Sequence, residues 1–454
     1  MDFVSIILAA GMGTRMKSKK TKVLHEAAGR TLLDWVLMAS GGVKTKKTVV
    51  VCGDAIDDIK EMGGDTIACV EQKERKGSGH AVMCAREEIK DFDGYTLIIA
   101  GDMPLLRSET VKQLADAAVN GGYTCMLLTA RLENPFGYGR IIRDEHTDDV
   151  LAIVEERDAD RDQKEINEVN ASCYCVKNSA LLASLNKLKP QNDQGEYYIT
   201  DIVEYIREDG GRVGAYTAVD YRECMGVNTR EQLAQVTKIL RQRIICRHME
   251  NGVTFIDPDS VYIDDDTVIG QDTIVHPGVT LEGGCRIGEN VVLYPGSRIA
   301  ASKIGDETIV QNSVITEAEV GNNCTVGPYA FLRPATKVAD KCRIGDFVEI
   351  KNSNIGKGTK VSHLTYIGDA DLGEKINVGC GVVFVNYDGR SKFRSTVGDN
   401  VFIGCNTNLI SPVEVGEGSY IAAGSTITDD IPDKALAIAR ARQVNKTGWK
   451  DRRE

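Results

Sequence analysis

From Phe255 to Ile431 an aliphatic side chain returns every sixth residue, and this period restricts what the stretch can fold into more than any other feature of the chain. Ile263, Ile269, Val275, Leu281, Ile287, Leu293 and Ile299 follow one another without a break. Thr267, Thr273, Val279, Cys285, Val291 and Ser297 come four residues after the first six of these and are small or β-branched, as tight corners require. After a slip the pattern resumes at Val320, Val326, Leu332, Val338, Ile344 and Ile350, continues through Ile355, Val361, Ile367, Leu372, Val378 and Phe384, and closes with Val397, Ile403, Leu409, Val415, Ile421 and Ile427. A period of six matches neither a helix nor a two-faced strand; it matches short strands joined by turns in a hexapeptide parallel β-helix.

The chain has 454 residues, 42% of them hydrophobic, which is enough for two domains with full cores. A net charge of -11 argues against a general binder of nucleic acid or anionic membrane, so any phosphate chemistry must use local Lys and Arg. The opening Met1 to Leu8 lacks a basic leader, and no apolar run reaches the length of a membrane span, so a cytoplasmic protein is expected. Thirteen cysteines without a CxxC read as reduced thiols, with the nearest pair, Cys173 and Cys175, expected on opposite sides of one strand.

In the first half, the apolar run Phe3 to Leu8 meets Ala9-Ala10-Gly11-Met12-Gly13-Thr14-Arg15-Met16, as a buried strand hands over to a phosphate-approaching loop. The loop is neither a P-loop nor a full dinucleotide fingerprint, and alone it fits a tight structural turn equally well. Strands are predicted at Thr48 to Cys52, Thr66 to Val70, Tyr95 to Ala100 and Thr124 to Thr129, with helices at Leu32 to Ala39, His80 to Ile89 and Glu109 to Val119. This alternation predicts an α/β Rossmann-like domain with a mainly parallel sheet covered on both faces. Asp102 ends the third strand, where a carboxylate either caps the next helix or holds Mg²⁺ against a phosphate.

Together, the segment Leu8 to Met16, Lys22 and Gly101-Asp102 resemble the sugar-1-phosphate nucleotidylyltransferases. Gly137-Tyr138-Gly139-Arg140, Val154-Glu155-Glu156, Glu168-Val169-Asn170, the segment Gly195 to Asp201 and Gly226-Val227-Asn228 narrow the resemblance to the N-acetylglucosamine-1-phosphate uridylyltransferases. The resemblance implies that the backbone of Leu8, Ala9, Ala10 and Gly11 and the side chain of Gln72, with Gly77 and Ser78, hold the uridine of UTP, and that Gly139, Glu155 and Asn170 hold the sugar. It also implies that Asp102 and Asn228 bind Mg²⁺, while Arg15 and Lys22 neutralise the triphosphate. Ser78 stands where the family usually has Thr, and Ala171-Ser172 where Thr-Gly is usual.

Thr229 to Asn251 carries Leu233, Val236, Ile239, Leu240, Ile244 and Ile245 at helical spacing and is expected as a spacer helix with Lys238, Arg241, Arg243 and Arg247 on a solvated face. The expected division is 1–228, a linker at 229–251, and the β-helix with its tail at 252–454. Within the hexads, the interval from Phe384 to Val397 grows to thirteen and inserts a loop from Asn386 to Phe393. His363 lies between inward Val361 and Ile367, off the inward phase, where an imidazole suits proton removal from an amine. Arg333 and Lys351, one coil apart, are placed to meet around a phosphate.

Phe331-Leu332-Arg333-Pro334, Val348-Glu349-Ile350-Lys351, the segment His363 to Asp369, Asn386-Tyr387-Asp388-Gly389 and Ala437-Ile438-Ala439-Arg440 resemble the left-handed β-helix acetyltransferase half of the bifunctional bacterial enzymes that make UDP-N-acetylglucosamine. The resemblance spans essentially the whole chain. It implies that His363 deprotonates the amine of glucosamine-1-phosphate for attack on acetyl-CoA. Arg333, Lys351, Tyr366 and Asn377, with Lys392 nearby, would bind the sugar phosphate; Cys380, Asn386, Tyr387, Cys405, Ala423 and Arg440 would line the acetyl-CoA site, which the family forms between chains of a homotrimer. Cys380 replaces the usual Ala, and Cys405 is often Ser. The alternatives are a single-activity nucleotidylyltransferase with a regulatory or assembly β-helix, and a non-catalytic sugar-nucleotide scaffold.

Overall fold

The computed structural model describes residues 1–190 and 195–449, and the chain divides into two compact units, Met1–Leu240 and Arg241–Glu454. In the first unit a sheet runs in the order Val213–Thr217, Cys125–Arg131, Glu168–Lys177, Tyr95–Ala100, Phe3–Ala9, Thr45–Cys52, Ala68–Glu71. The expected parallel pairing holds except at Glu168–Lys177, which is antiparallel to both neighbours. A parallel return needs a crossover, and residues 132–167 instead form the antiparallel pair Arg140–Arg143 and Val150–Val154 and one helical turn, Arg161–Lys164.

Alternation along these strands feeds two cores. Ile7, Val50, Leu97 and Ile99 face one, while Val4, Ile6, Val49, Val51 and Ile98 face the other. Cys173 and Cys175 both lie in the first core, correcting the expectation that they diverge: residues two apart on a strand share a face. The expected helices form at Leu32–Ser40 and Ser108–Asn120, the one over His80 to Ile89 breaks into Ser78–Cys84 and Arg86–Ile89, and the short helix Ile56–Gly63 was not anticipated. The strand expected from Thr66 starts at Ala68, because a 3-10 turn occupies Gly64–Thr66.

A single helix, Arg230–Glu250, forms where the aliphatic spacing places it. Val236 and Leu240 pack with Met16, Leu32, Leu105 and Val227 in the first unit. In the second unit its cations are more engaged than a purely solvated face implies: Arg247 donates to Asp265 Oδ1 at 3.0 Å, and Arg241 lies over the Tyr262 ring, 4.3 Å from its centre.

The second unit is a three-sided solenoid, a left-handed parallel β-helix. Among the described residues its strands fall into sheets of eleven, ten and nine, each strand pairing in parallel with the third one after it until the C-terminal end, where Tyr420–Ile421 pairs with the second, Leu436–Ala437. Every hexad position named above is buried, as are the corner residues four places later. Thr273 shows how a buried corner hydroxyl is satisfied: it donates to the Gly288 carbonyl at 2.8 Å and accepts from Val291 N–H at 3.1 Å. The slip after Ile299 is not a gap in the core, since Ile304, Val310 and Ile315 continue the inward row at intervals of five, six and five. A corner shortened by one residue preserves the strand register.

Candidate active sites

In the first unit, strand Phe3–Ala9 lies between Tyr95–Ala100 and Thr45–Cys52, and the chain winds outward in both directions from it. Its C-terminal end is therefore the point where ligands gather in such sheets. A cleft of about 480 Å³ opens there, lined among others by Leu8, Ala10, Gly11, Lys22, Gln72 and Gly77. Ser78, Asp102, Glu155 and Asn170 line it as well. The Ala9 side chain points into the core, while Arg15 sits exposed on the 3-10 turn Thr14–Met16, outside the lining.

Lys22 is the centre of the cleft's charge. Its ammonium contacts Asp102 and donates to Asn228 Oδ1 at 3.0 Å, joining three segments distant in sequence. Gly13 makes this possible: at φ 60° it takes the left-handed turn, and a Cβ there would come within 2.6 Å of Lys22 Cβ. The ammonium reports that the oxygens of Asp102 and Asn228 converge on one cationic position. A hard divalent ion takes such donors together with phosphate oxygens and water, so the residues present fit Mg²⁺.

Gln72 donates from Nε2 to the Gly77 carbonyl and lies against His80 Nδ1, both at 3.1 Å, which fixes its amide at the cleft wall. Ser78 Oγ accepts from Ile199 N–H at 3.1 Å. Thr200 donates to Glu155 at 3.3 Å, Asn170 donates to Tyr174 at 2.7 Å, and Asn170 N–H donates to the Gly139 carbonyl at 2.8 Å. Burial pushes the Glu155 carboxyl above the usual range, with Asp158 and Asp201 adding to the rise and the Thr200 bond opposing it. Ser172 occupies the left-handed region at φ 53°, which accounts for a glycine being usual there. Arg75, which was not foreseen, also lines the cleft, as does Thr200, which the motif Gly195 to Asp201 contains without a role of its own. Arg75 donates to the Ala10 carbonyl at 3.1 Å, and only its position three residues after Gln72 hinted at it.

In the second unit, coil stacking brings together what the sequence separates. Arg333 and Lys351 occupy consecutive coils, and Arg333 donates to Glu349 at 2.8 Å. The Lys351 ammonium lies beside that of Lys392, and this neighbour, partial desolvation and Arg333 hold its pKa below the usual lysine value against the opposing pull of Asp369. Two ammonium groups side by side define a place for an anion. Buried Asp369 accepts from the side chains of Asn352 and Asn386, anchoring the start of the loop. Beyond it, Tyr387 bridges to Lys392 and Phe393 N–H returns to the Asn386 carbonyl at 2.8 Å, so the inserted residues form a small hairpin.

Tyr366 is in register with Glu349, on the same sheet as Arg333 and Lys351. Asn377 lies on the neighbouring sheet, in register with Lys360 and Phe402. Cys380, Cys405 and Ala423 follow one per coil, and the next coil brings the Arg440 side chain against Gly424. His363 is exposed, off the inward row as expected, and its Nδ1 meets Asp346 Oδ1. Asp346 was not anticipated, although its spacing of seventeen residues from His363 is one coil.

The family pattern described as a MobA-like NTP transferase domain matches residues 5–171, and bacterial transferase hexapeptide repeats match 266–301 and 394–429. Over 453 residues the chain is 49% identical to the bifunctional protein GlmU of Clostridioides difficile strain 630, covering 100% of this chain and 98% of that one. It is 51% identical over 446 residues to the GlmU of Clostridium novyi strain NT, covering 98% and 97%. The chain belongs to the bifunctional GlmU family. It is accordingly a two-activity transferase of UDP-N-acetylglucosamine synthesis, combining acetyl transfer with uridylyl transfer. No helix among the described residues is long and apolar enough to cross a membrane.

Proposed function

We propose that the β-helix unit acetylates glucosamine-1-phosphate from acetyl-CoA and that the α/β unit then transfers uridylyl from UTP to the N-acetylated product, releasing pyrophosphate. The observation that carries the reading is the convergence of Lys22, Asp102 and Asn228 at the end of the central strand. The adjacent ammonium groups of Lys351 and Lys392 support the other half of it.

In uridylyl transfer, the loop Leu8 to Gly11 with Gln72, Gly77 and Ser78 seats the uridine, and Gly139, Glu155 and Asn170 orient the sugar. The sugar-phosphate oxygen attacks the α-phosphorus, pyrophosphate leaves in line, and Lys22 and Arg15 offset the charge that builds on the phosphates. Asp102 and Asn228 would hold Mg²⁺, which when bound supplies charge neutralisation and alignment of the nucleotide phosphates.

In acetyl transfer, Arg333, Lys351 and Lys392 hold the sugar phosphate, with Tyr366 and Asn377 as further contacts. His363 removes a proton as the amine attacks the thioester carbonyl, and the departing CoA thiolate takes a proton back. Asn386, Tyr387, Cys380, Cys405, Ala423 and Arg440 form the cofactor wall. A trimer in the cytoplasm completes the reading: Tyr329 and Phe347 stack with ring centres 5.4 Å apart and, with Leu364, leave an apolar ladder more than half exposed that a second copy would cover. The thirteen unpaired thiols suit a reducing compartment.

Following CoA thiol and pyrophosphate separately tests the division of labour. His363→Ala is expected to abolish CoA release and leave pyrophosphate release within twofold of wild type; equal loss of both would refute it.

A further inference from the structure

Two strands of the solenoid, Arg343–Asp346 and Lys360–His363, run to four residues where their neighbours have two or three, and their pairing extends to Asp346 opposite His363. Gly345 permits the extension, because a Cβ at that position would lie 2.0 Å from the Ser362 carbonyl oxygen. The two side chains are thus lateral neighbours on adjacent rungs, and His363 Nδ1 lies 2.5 Å from Asp346 Oδ1. Leu364 N–H bonds the Asp346 carbonyl at 2.9 Å, which pins the backbone on both sides of the pair. The hydrogen bond to His363 holds the Asp346 carboxyl below the usual carboxylate range, with partial burial opposing, so Asp346 is an anion wherever the enzyme works.

We propose that Asp346 is a positioning residue for acetyl transfer, accepting a hydrogen bond from Nδ1–H of His363 so that Nε2 presents the lone pair to the substrate amine. The proposal rests on the reading of His363 as the base. A neutral histidine in water carries its proton mainly on Nε2, the wrong nitrogen for this task, and the hydrogen bond at Nδ1 sets which tautomer is present. Once Nε2 has taken the amine proton, the imidazolium keeps its Nδ1–H directed at a carboxylate, so the ring neither turns nor loses its partner between taking the proton and returning it. Asp346 touches neither substrate in this scheme and acts only through the ring.

The test compares full-length wild type, His363→Ala, Asp346→Ala and Asp346→Asn by CoA release under saturating substrates, with KM for both substrates and with ¹⁵N-histidine spectra to read the His363 tautomer. Asp346→Ala is expected to lower kcat at least about tenfold with both KM values unchanged, and to move His363 toward the Nε2–H form. Asp346→Asn, which keeps an acceptor and loses the charge, is expected between the two; pyrophosphate release remains at the wild-type rate in both. Retention of acetyl transfer by His363→Ala would sink the reading of the base itself. Loss in His363→Ala with kcat of Asp346→Ala within twofold of wild type, or a kcat loss matched by raised KM and an unchanged tautomer, would overturn the role of Asp346 alone.

Discussion

Asp201 offers a quantitative test of how the first unit tolerates acid groups behind the wall of its cleft. It precedes helix Ile202–Glu208, makes no capping bond, and follows Thr200, whose hydroxyl holds Glu155. Burial, then the charges of Glu204 and Asp158, push its pKa from 3.8 up to about 6. Between those values the folded protein keeps a proton that the unfolded chain has released, so stability falls as pH rises through this window. The favourable contribution is fully present below 3.8 and lost above about 6. At 1.36 kcal/mol per pH unit the difference is about 3 kcal/mol, and because the carboxyl is only partly shielded, solvent screening reduces it to about 1–2 kcal/mol. Asp201→Asn keeps the shape and removes the charge. In a unit of this size such a gain raises the melting temperature by about 2–8 °C. Calorimetric melts of the full chain at pH 8, 6 and 4.5 are expected to show that rise at pH 8, shrinking steadily toward zero with acid. An equal shift at every pH, or no rise at pH 8, would refute the reasoning.

The remaining predictions concern the metal and the assembly. Chelation with EDTA, or Asp102→Ala, is expected to lower pyrophosphate release at least a hundredfold while CoA release continues unchanged; persistence of pyrophosphate release would remove Asp102 from the metal site. Phe347→Glu places a charge in the exposed aromatic ladder and is expected to shift the light-scattering mass from three copies to one, with loss of CoA release and normal pyrophosphate release; a mass of three copies would show that another surface joins them.

The solenoid was legible because its interior is a single repeated choice: an aliphatic residue at Ile263 and at each sixth place thereafter leaves no other way to bury the row. The slip between Ile299 and Val320 was harder to read, since intervals of five and six have no common period although all serve the same interior. In the α/β unit the buried strands announced themselves as apolar runs, whereas the antiparallel course of Glu168–Lys177 depends on how the preceding residues connect, which no local pattern carries. Lys22, Asp102 and Asn228 were each recognisable in a motif, but their convergence is a property of the folded sheet. Asp346 escaped notice for a related reason: its meaning comes from the neighbour one rung away, and seventeen residues is a long interval along the chain although it is a single rung across the solenoid.

Coils in this solenoid vary from sixteen residues, between Ile299 and Ile315, to twenty-five, between Phe384 and Leu409, yet each advances the axis by one strand spacing of about 4.8 Å. Distance along the solenoid axis is therefore quantised. From Cys380 to Arg440 there are three rungs, about 14 Å, whatever number of residues each corner consumes. Trimming or lengthening a corner leaves that measure untouched, while adding or removing one whole coil displaces every later contact by a full step.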